Sequence, residues 1–129
     1  MKNIKRLGDA ELEIMQIVWA RPEPMTSKEI LNNLTQRQWK LSTLMTTLER
    51  LVDKGYLACD RSTRTNFYSR QIEECNYKAN ESKLLLEKLH GNSLSSLVSF
   101  LCDSNSVDKE DIAELRSYLA SFAVGESSD

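Results

Sequence analysis

The 129-residue sequence contains few of the residues on which catalytic and metal sites depend. It has a single histidine, His90, and three cysteines at wide, irregular spacing, Cys59, Cys75 and Cys102. This spacing fits neither a disulfide framework nor a zinc motif. A glycine-rich phosphate loop, an HExxH motif and a nucleophile elbow are also missing. We therefore predict that the protein is not an enzyme, that its thiols are reduced, and that it binds no cofactor and no metal.

Long apolar segments are missing as well. No apolar run approaches the roughly 18 residues that a membrane span requires. The N-terminal stretch MKNIKRLGDAELEI turns amphipathic and acidic where a signal peptide would stay apolar. Length and composition are those of one globular domain with an extension. We expect a cytoplasmic protein with no membrane partner.

The net charge of −2 hides an uneven distribution. Residues 1–70 contain 12 Lys and Arg against 8 Asp and Glu, whereas residues 71–129 contain 5 against 11. No acidic residue occurs between positions 37 and 48. A basic half of this kind is typical of nucleic-acid binding.

The first part of the chain predicts two helices. The segment DAELEIMQIVWA has apolar residues at helical spacing, and we predict Asp9 as its N-cap. RPEP ends this helix, and a short extended piece at Met25 follows. Thr26 and Glu29 then form the capping box of a second helix. A turn through Gln36 leads to the third.

The third helix is predicted from about Leu41 to Lys54 and ends at Gly55, which tolerates a left-handed conformation. The side that faces the core carries Leu41, Leu44, Leu48, Leu51 and Val52. The opposite side carries Thr43, Thr46, Thr47 and Arg50, with Lys54 one turn further on. Threonine has a low helix propensity, so its repeated use on a solvated face calls for a reason.

Two short runs rich in aromatic and β-branched residues follow, YLACDR and TNFYSR, and they predict a β-hairpin. Three helices and a hairpin are the order of a winged helix-turn-helix, which we assign to residues 1–70. Compact threonines would let the third helix approach base edges, and basic residues on either side would neutralise phosphates. The predicted DNA contacts are Lys40, Ser42, Thr43, Thr46, Thr47, Arg50, Lys54, Arg61 and Arg64. The competing interpretation is that the threonines arose by drift and that the hairpin arginines are only solvated.

Residues 71–124 predict helices with more apolar surface than they can bury alone. A second copy of the chain is the simplest partner, so we predict a homodimer. The predicted interface residues are Leu85, Leu89, Leu94, Leu97, Val98, Leu101, Ile112, Leu115, Leu119 and Phe122. Residues 125–129 predict a disordered tail. The fold class is thus mainly α with a small β-hairpin, a winged helix-turn-helix plus a C-terminal helical dimerisation region.

The sequence resembles the penicillinase-repressor (BlaI/MecI/CopY) family of transcriptional regulators. The resemblance rests on DAELEIMQIVW, TSKEI, the spaced residues of W…T…T.L.RL..KGYL, FYS, GNSLSSLV and DKEDIAELRSYL. It implies a dimeric repressor that binds an inverted-repeat operator in double-stranded DNA. It also implies that Thr43, Thr46 and Arg50 lie in the recognition helix and that the residues near Arg64 form the wing.

The resemblance further implies two modes of control, cleavage of the C-terminal region by a sensor protease and release by copper. Copper-responsive members carry Cys-x-Cys pairs near the C-terminus, where this chain has only Cys102, so we expect no copper response. The family is cut close to Val98 and Leu101, but the asparagine associated with the cut is missing here, and we assign no bond. Lys40 replaces a capping serine. Either Ser42 caps a helix that starts later, or Lys40 contacts a phosphate.

Two other functions fit the sequence less well. A winged-helix module that binds only proteins would suit the acidic C-terminal half, but the third helix is free of acids in its first turns and carries Arg50. A redox or metal trigger at Cys59 or Cys102 would need paired ligands or a positive, exposed setting, neither of which the sequence indicates.

Overall fold

The computed structural model describes residues 4–34 and 38–127, with side chains to residue 122. The predicted turn through Gln36 lies outside these residues. The elements are α1 (Asp9–Trp19), α2 (Ser27–Asn33), α3 (Leu41–Asp53), β1 (Leu57–Asp60), β2 (Phe67–Arg70), α4 (Glu74–His90), α5 (Leu94–Asp103) and α6 (Lys109–Ser127). This mainly helical order with a two-stranded antiparallel hairpin confirms the predicted fold class.

Both N-terminal helices have a glutamate as their third residue, and its carboxylate accepts a hydrogen bond from the N–H of the N-cap residue. The Glu29 carboxylate accepts the Thr26 N–H (2.9 Å), and the Thr26 hydroxyl accepts the Glu29 N–H (3.2 Å), which confirms the predicted capping box of α2. In α1 the N-cap is Gly8 and not Asp9, so that prediction was wrong. Here the Glu11 carboxylate accepts the Gly8 N–H at 2.8 Å, which is the half of a capping box that remains possible when the N-cap is a glycine without a side-chain acceptor.

Helix α3 packs on the core through Leu44, Leu48 and Leu51, which are fully buried. Leu41 was expected on the same side, but it is 55% exposed because it is the first residue of the helix and lies beyond the edge of the core. The helix ends as predicted at Gly55, whose φ of +85° lies in the left-handed region.

The hairpin pairs Leu57 with Arg70 and Asp60 with Phe67. Met25 forms an isolated β-bridge to Tyr68 of β2, with backbone hydrogen bonds of 2.9 and 2.7 Å. The predicted extended piece at Met25 thus ties the α1–α2 connection to the hairpin.

The chain forms two compact units, Met1–Ser82 and Lys83–Asp129. The core of the first unit is the helix-turn-helix with its hairpin. The first half of α4 adds Tyr77, whose ring lies 5.5 Å from Trp19 and 6.0 Å from Tyr56. The first unit therefore extends past residue 70, where the sequence had placed the boundary. The fully buried side chains of its core are Ile14, Met15, Met25, Ile30, Leu44, Leu48, Leu51 and Tyr56.

The second unit contains α5, α6 and the end of α4. Gly91 and Asn92 both have positive φ in the turn after α4, and the Ser93 hydroxyl caps α5 by accepting the Ser96 N–H (3.1 Å). Helix α6 includes residues 125–127 of the predicted tail, and residues 128 and 129 lie outside the described part. Among the described residues, no helix combines the length and hydrophobicity of a bilayer span.

Candidate nucleic-acid interface and apolar surface

The outward face of α3 is built from short hydroxylated side chains and one arginine. Ser42, Thr43, Thr46 and Arg50 are exposed, whereas three leucines on the other side are buried: Leu44, Leu48 and Leu51. The acidic residues of this helix, Glu49 and Asp53, occur only in its C-terminal half. The N-terminal half therefore presents small polar groups with no negative charge, as an element that approaches DNA requires.

The two adjacent threonines of this helix differ in their surroundings. The Thr46 hydroxyl donates to the Ser42 carbonyl (3.0 Å), and the side chain is exposed. The Thr47 hydroxyl donates to the Thr43 carbonyl (2.8 Å), but its side chain is only 4% exposed. The prediction that Thr47 lies on the outward face was wrong. It occupies the stripe between Leu44 and Leu51, three and four residues away, and its hydroxyl can be buried because the Thr43 carbonyl accepts its hydrogen.

Lys54 is also placed differently from the prediction. Its ammonium lies 2.6 Å from the Glu11 carboxylate and donates to the Arg6 carbonyl (3.1 Å). Glu11 is almost completely buried at the start of α1. Because this ion pair holds the ammonium against the protein, Lys54 does not extend the outward face.

The N-terminal end of α3 begins at Leu41, with Lys40 in the N-cap position. No side chain among the described residues caps this end. Ser42 is the second residue of the helix, so the alternative in which Ser42 caps a later start was wrong. Lys40 is exposed beside the free N–H groups of the first turn, and both its charge and the positive end of the helix dipole favour an anion such as phosphate.

The wing is the loop between β1 and β2, and it exposes Arg61 and Arg64. The Asp60 carboxylate accepts the Ser62 N–H (2.9 Å), which folds the start of this loop into a turn. Hydrogen bonds from the Ser62 hydroxyl and N–H lower the pKa of Asp60, so this carboxylate is ionised at neutral pH.

Arg70 orients the hairpin, and sequence reasoning missed this role. Its guanidinium donates to the carbonyls of Val18 (2.9 Å) and Trp19 (3.4 Å) at the C-terminal end of α1. The Trp19 indole N–H in turn donates to the Ile72 carbonyl (2.9 Å). Neither contact has a local signal, because the partners are more than 50 residues apart. Together they fix the base of the wing on α1.

The second unit exposes apolar side chains on all three of its helices. Eight of the ten predicted interface residues are exposed: Leu85, Leu89, Leu94, Leu101, Ile112, Leu115, Leu119 and Phe122. Leu97 and Val98 are half-buried. Phe100 and Tyr118, which are 66% and 59% exposed, extend the same character and were not predicted. Both follow predicted members at helical spacing, Phe100 three residues after Leu97 and Tyr118 three residues after Leu115, so this signal could have found them.

No side chain of α5 is buried, and none of the side chains that the structure describes in α6, residues 109–122, is buried either. Globular domains normally cover such helices on one side. The second unit thus presents an extended apolar surface on α5 and α6.

Comparison with known proteins matches most of the chain to one family. The family model "Penicillinase repressor" matches residues 7–121. The penicillinase repressor of Bacillus licheniformis is 30% identical over 116 residues, which are 89% of this chain and 90% of that protein. The methicillin resistance regulatory protein MecI of Mammaliicoccus sciuri is 27% identical over 113 residues, which are 88% and 92% of the two chains.

A solved structure supports the same relationship. The solution structure of the DNA-binding domain of the repressor BlaI aligns with a TM-score of 0.51 and 33% sequence identity. The alignment covers 60% of this chain and 94% of that domain. The resemblance stated from sequence motifs is confirmed by these matches.

Proposed function

The chain belongs to the penicillinase repressor family of transcriptional regulators, and we propose that it represses transcription by binding an inverted-repeat operator as a homodimer. The observation that carries this proposal is the exposed face of α3, with Ser42, Thr43 and Thr46 in its acid-free N-terminal half and Arg50 in the turn that follows. Each protomer would place α3 in one major groove, and the two half-sites would lie about one helical turn, roughly 34 Å, apart. Repression is then steric and needs no catalytic reaction, and its place of action is the cytoplasm.

The exposed side chains divide into base contacts and phosphate contacts. Arg50 has the reach and the paired donors to bind a guanine edge, and Thr43 and Thr46 are short enough to touch bases or thymine methyl groups. Lys40, at the helix N-terminus, and Arg61 and Arg64, in the wing, are suited to phosphates. Thr47 and Lys54 are not part of the proposed interface, since one is buried and the other is paired with Glu11.

A second copy of the chain is the proposed cover of the apolar surface on residues 83–122. Two-fold association brings the same patch of each protomer together and therefore requires a patch that can pack against itself. A surface of exposed leucines and aromatics meets this requirement. It also places two α3 helices on one duplex, which multiplies the affinity of each half-site through effective concentration. We further propose that a sensor protease that removed this surface would release the operator, because each half-site would then be bound alone.

Selection from a library of random duplexes tests the proposal and identifies the operator sequence at the same time. We expect enrichment of an inverted repeat, bound by two chains per duplex. If Lys40, Arg61 and Arg64 of both protomers contact phosphates, about six counterions are released and log K should fall with log salt at a slope of about −5. Failure of the selection to enrich any sequence would refute the proposal.

Variants then separate the two kinds of contact. Arg61→Ala and Arg64→Ala should weaken binding to selected and scrambled duplexes alike and reduce the salt slope by about one unit for each phosphate that is no longer neutralised. Lys78→Ala, which changes an exposed lysine of α4 outside both proposed interfaces, is the control and should leave the slope unchanged.

A further inference from the structure

The C-terminal end of α3 is attached to the N-terminal end of α1 by a compact polar network. The Glu11 Oε1 atom accepts hydrogen bonds from both the Lys54 ammonium (2.6 Å) and the Gly8 N–H (2.8 Å). The same ammonium also donates to the Arg6 carbonyl (3.1 Å). Next to it, the Tyr56 hydroxyl donates to the Lys5 carbonyl. The segment that precedes α1 is thus bound to the residues that end α3.

Each charge in this ion pair lies at the helix end that favours it. Lys54 is the C-cap of α3, where the helix dipole is negative, and Glu11 is in the first turn of α1, where it is positive. Burial raises the pKa of Glu11, but the hydrogen bonds from Lys54 and Gly8 and the charges of Lys54 and Arg50 outweigh this effect. The net pKa of Glu11 is lowered, so the carboxylate is ionised at neutral pH.

This network lies one helical turn from the exposed Arg50. The Lys54 N–H donates to the Arg50 carbonyl (2.9 Å), so the two residues are consecutive on one side of α3. At the other end, Leu41 has no side-chain cap among the described residues. Among the described residues, side-chain hydrogen bonds thus attach the C-terminal end of α3 to α1 within one turn of Arg50.

We propose that Glu11 and Lys54 are positioning residues. They fix the position and rotation of α3, and therefore the direction of the Arg50 side chain, for sequence recognition. This inference rests on the proposed function, since it assumes that Arg50 contacts a base. Contacts to base edges tolerate displacements of only about 0.5 Å, so a small shift or rotation of the helix would lower discrimination between sequences before it lowers general affinity for DNA.

If electrostatics alone governed DNA binding, Glu11→Gln would have a different effect on affinity from the one that the positioning role predicts. Glu11→Gln removes a negative charge near α3 and weakens the hold on Lys54, which would strengthen binding to any duplex. Positioning predicts instead that Glu11→Gln lowers the ratio of affinities for the selected and scrambled duplexes, by roughly tenfold. Lys54→Met, which keeps most of the apolar stem, should lower the same ratio.

The experiment measures this ratio by fluorescence anisotropy for the full-length wild type, Glu11→Gln and Lys54→Met, each also combined with Arg50→Ala. Circular dichroism sets a temperature at which every variant is folded. Glu74→Gln is the matched control, because it removes another Glu–Lys pair, Lys78–Glu74 at 3.6 Å on α4, away from α3. The proposal predicts that Glu11→Gln lowers the ratio, that this effect disappears in the Arg50→Ala background, and that the control keeps the wild-type ratio.

Three results would overturn the proposal. Tighter binding of Glu11→Gln to both duplexes with an unchanged ratio would mean that the mutation only frees a cation. If Glu11→Gln lowered the affinity ratio equally in the wild-type and Arg50→Ala backgrounds, Glu11 would stabilise the fold without positioning Arg50. A wild type that discriminates no sequence would refute the proposed function itself, whereas the first two results leave that function intact.

Discussion

Replacing one exposed leucine of α6 with aspartate should dissociate the proposed dimer. Leu119 is 44% exposed in the single chain. Complete burial of a leucine side chain contributes about 1.5–3 kcal/mol, so covering the exposed 44% would contribute about 0.7–1.3 kcal/mol. A two-fold dimer contains the side chain twice, which gives about 1.3–2.6 kcal/mol, or roughly a 10- to 70-fold change in the dimer Kd.

Aspartate adds a larger effect than the lost transfer energy. A carboxylate that is removed from water without a partner costs several kcal/mol, and the symmetry axis would bring two of them into the interface. We therefore expect Leu119→Asp to raise the dimer Kd on the order of 10³-fold or more. Leu119 is a better position than a buried residue, because its exposure in the monomer limits damage to the fold of the unit.

Sedimentation equilibrium over a range of concentrations measures the Kd, and circular dichroism checks the helix content. Ser117→Asp places the same charge on an exposed position of the same helix, about 200° around the axis, and should leave the Kd within a few-fold of the wild type. A Leu119→Asp variant that keeps the dimer Kd of the wild type would place the interface elsewhere. A wild type that sediments as a monomer at high micromolar concentration would refute the dimer itself.

Three further predictions concern the first unit. Arg50→Ala should lower affinity for the selected duplex by about 1–3 kcal/mol and relax the preference at one base pair, and an unchanged affinity in the anisotropy titration would remove Arg50 from the interface. Gly55→Ala should lower the free energy of unfolding by about 1–2 kcal/mol, because φ is +85° and an added Cβ meets no atom within 4 Å, so only backbone strain contributes; thermal denaturation measures this. Because the pKa of Glu11 is lowered in the folded chain, its ion pair should stabilise the protein above its ordinary pKa of 4.5 and lose this effect as the pH falls through the folded value. Denaturant unfolding of wild type and Glu11→Gln should therefore differ at pH 7 and converge in acid, and a constant difference would contradict the assignment.

Local signals were sufficient to predict most of the fold of the first unit. The capping box at Thr26, the left-handed Gly55 and the leucines of α3 are each determined by residues within one or two turns. The hairpin strands, too, follow from composition over four residues each. These elements agree with their predictions because local preference and tertiary packing favour the same structure.

Two of the missed features, the roles of Lys54 and Arg70, depend on contacts between distant residues. Lys54 pairs with Glu11 across 43 positions, and Arg70 reaches Val18 across 52. A basic residue on an amphipathic helix has the same sequence pattern whether it faces DNA or a buried carboxylate on another helix. The candidate interface was thus predictable as a helix face, but its members were not, because the pattern does not show which cations the fold already uses.

The threonines of α3 show how one residue type can serve two purposes in adjacent positions. Thr46 and Thr47 both donate their hydroxyl hydrogen to the carbonyl four residues earlier. At Thr47 this bond makes burial possible, because an unsatisfied hydroxyl in the core would cost about 1–3 kcal/mol. At the exposed Thr46 the same bond leaves the oxygen lone pairs and the methyl group available on the outer side. In that geometry Thr46 can accept from a base amino group or touch a thymine methyl, but it cannot donate to DNA without giving up its bond to Ser42. The cost of threonine's low helix propensity is thus offset differently at the two positions: by packing with an internally satisfied hydroxyl at Thr47 and, in the proposed function, by close approach to DNA at Thr46.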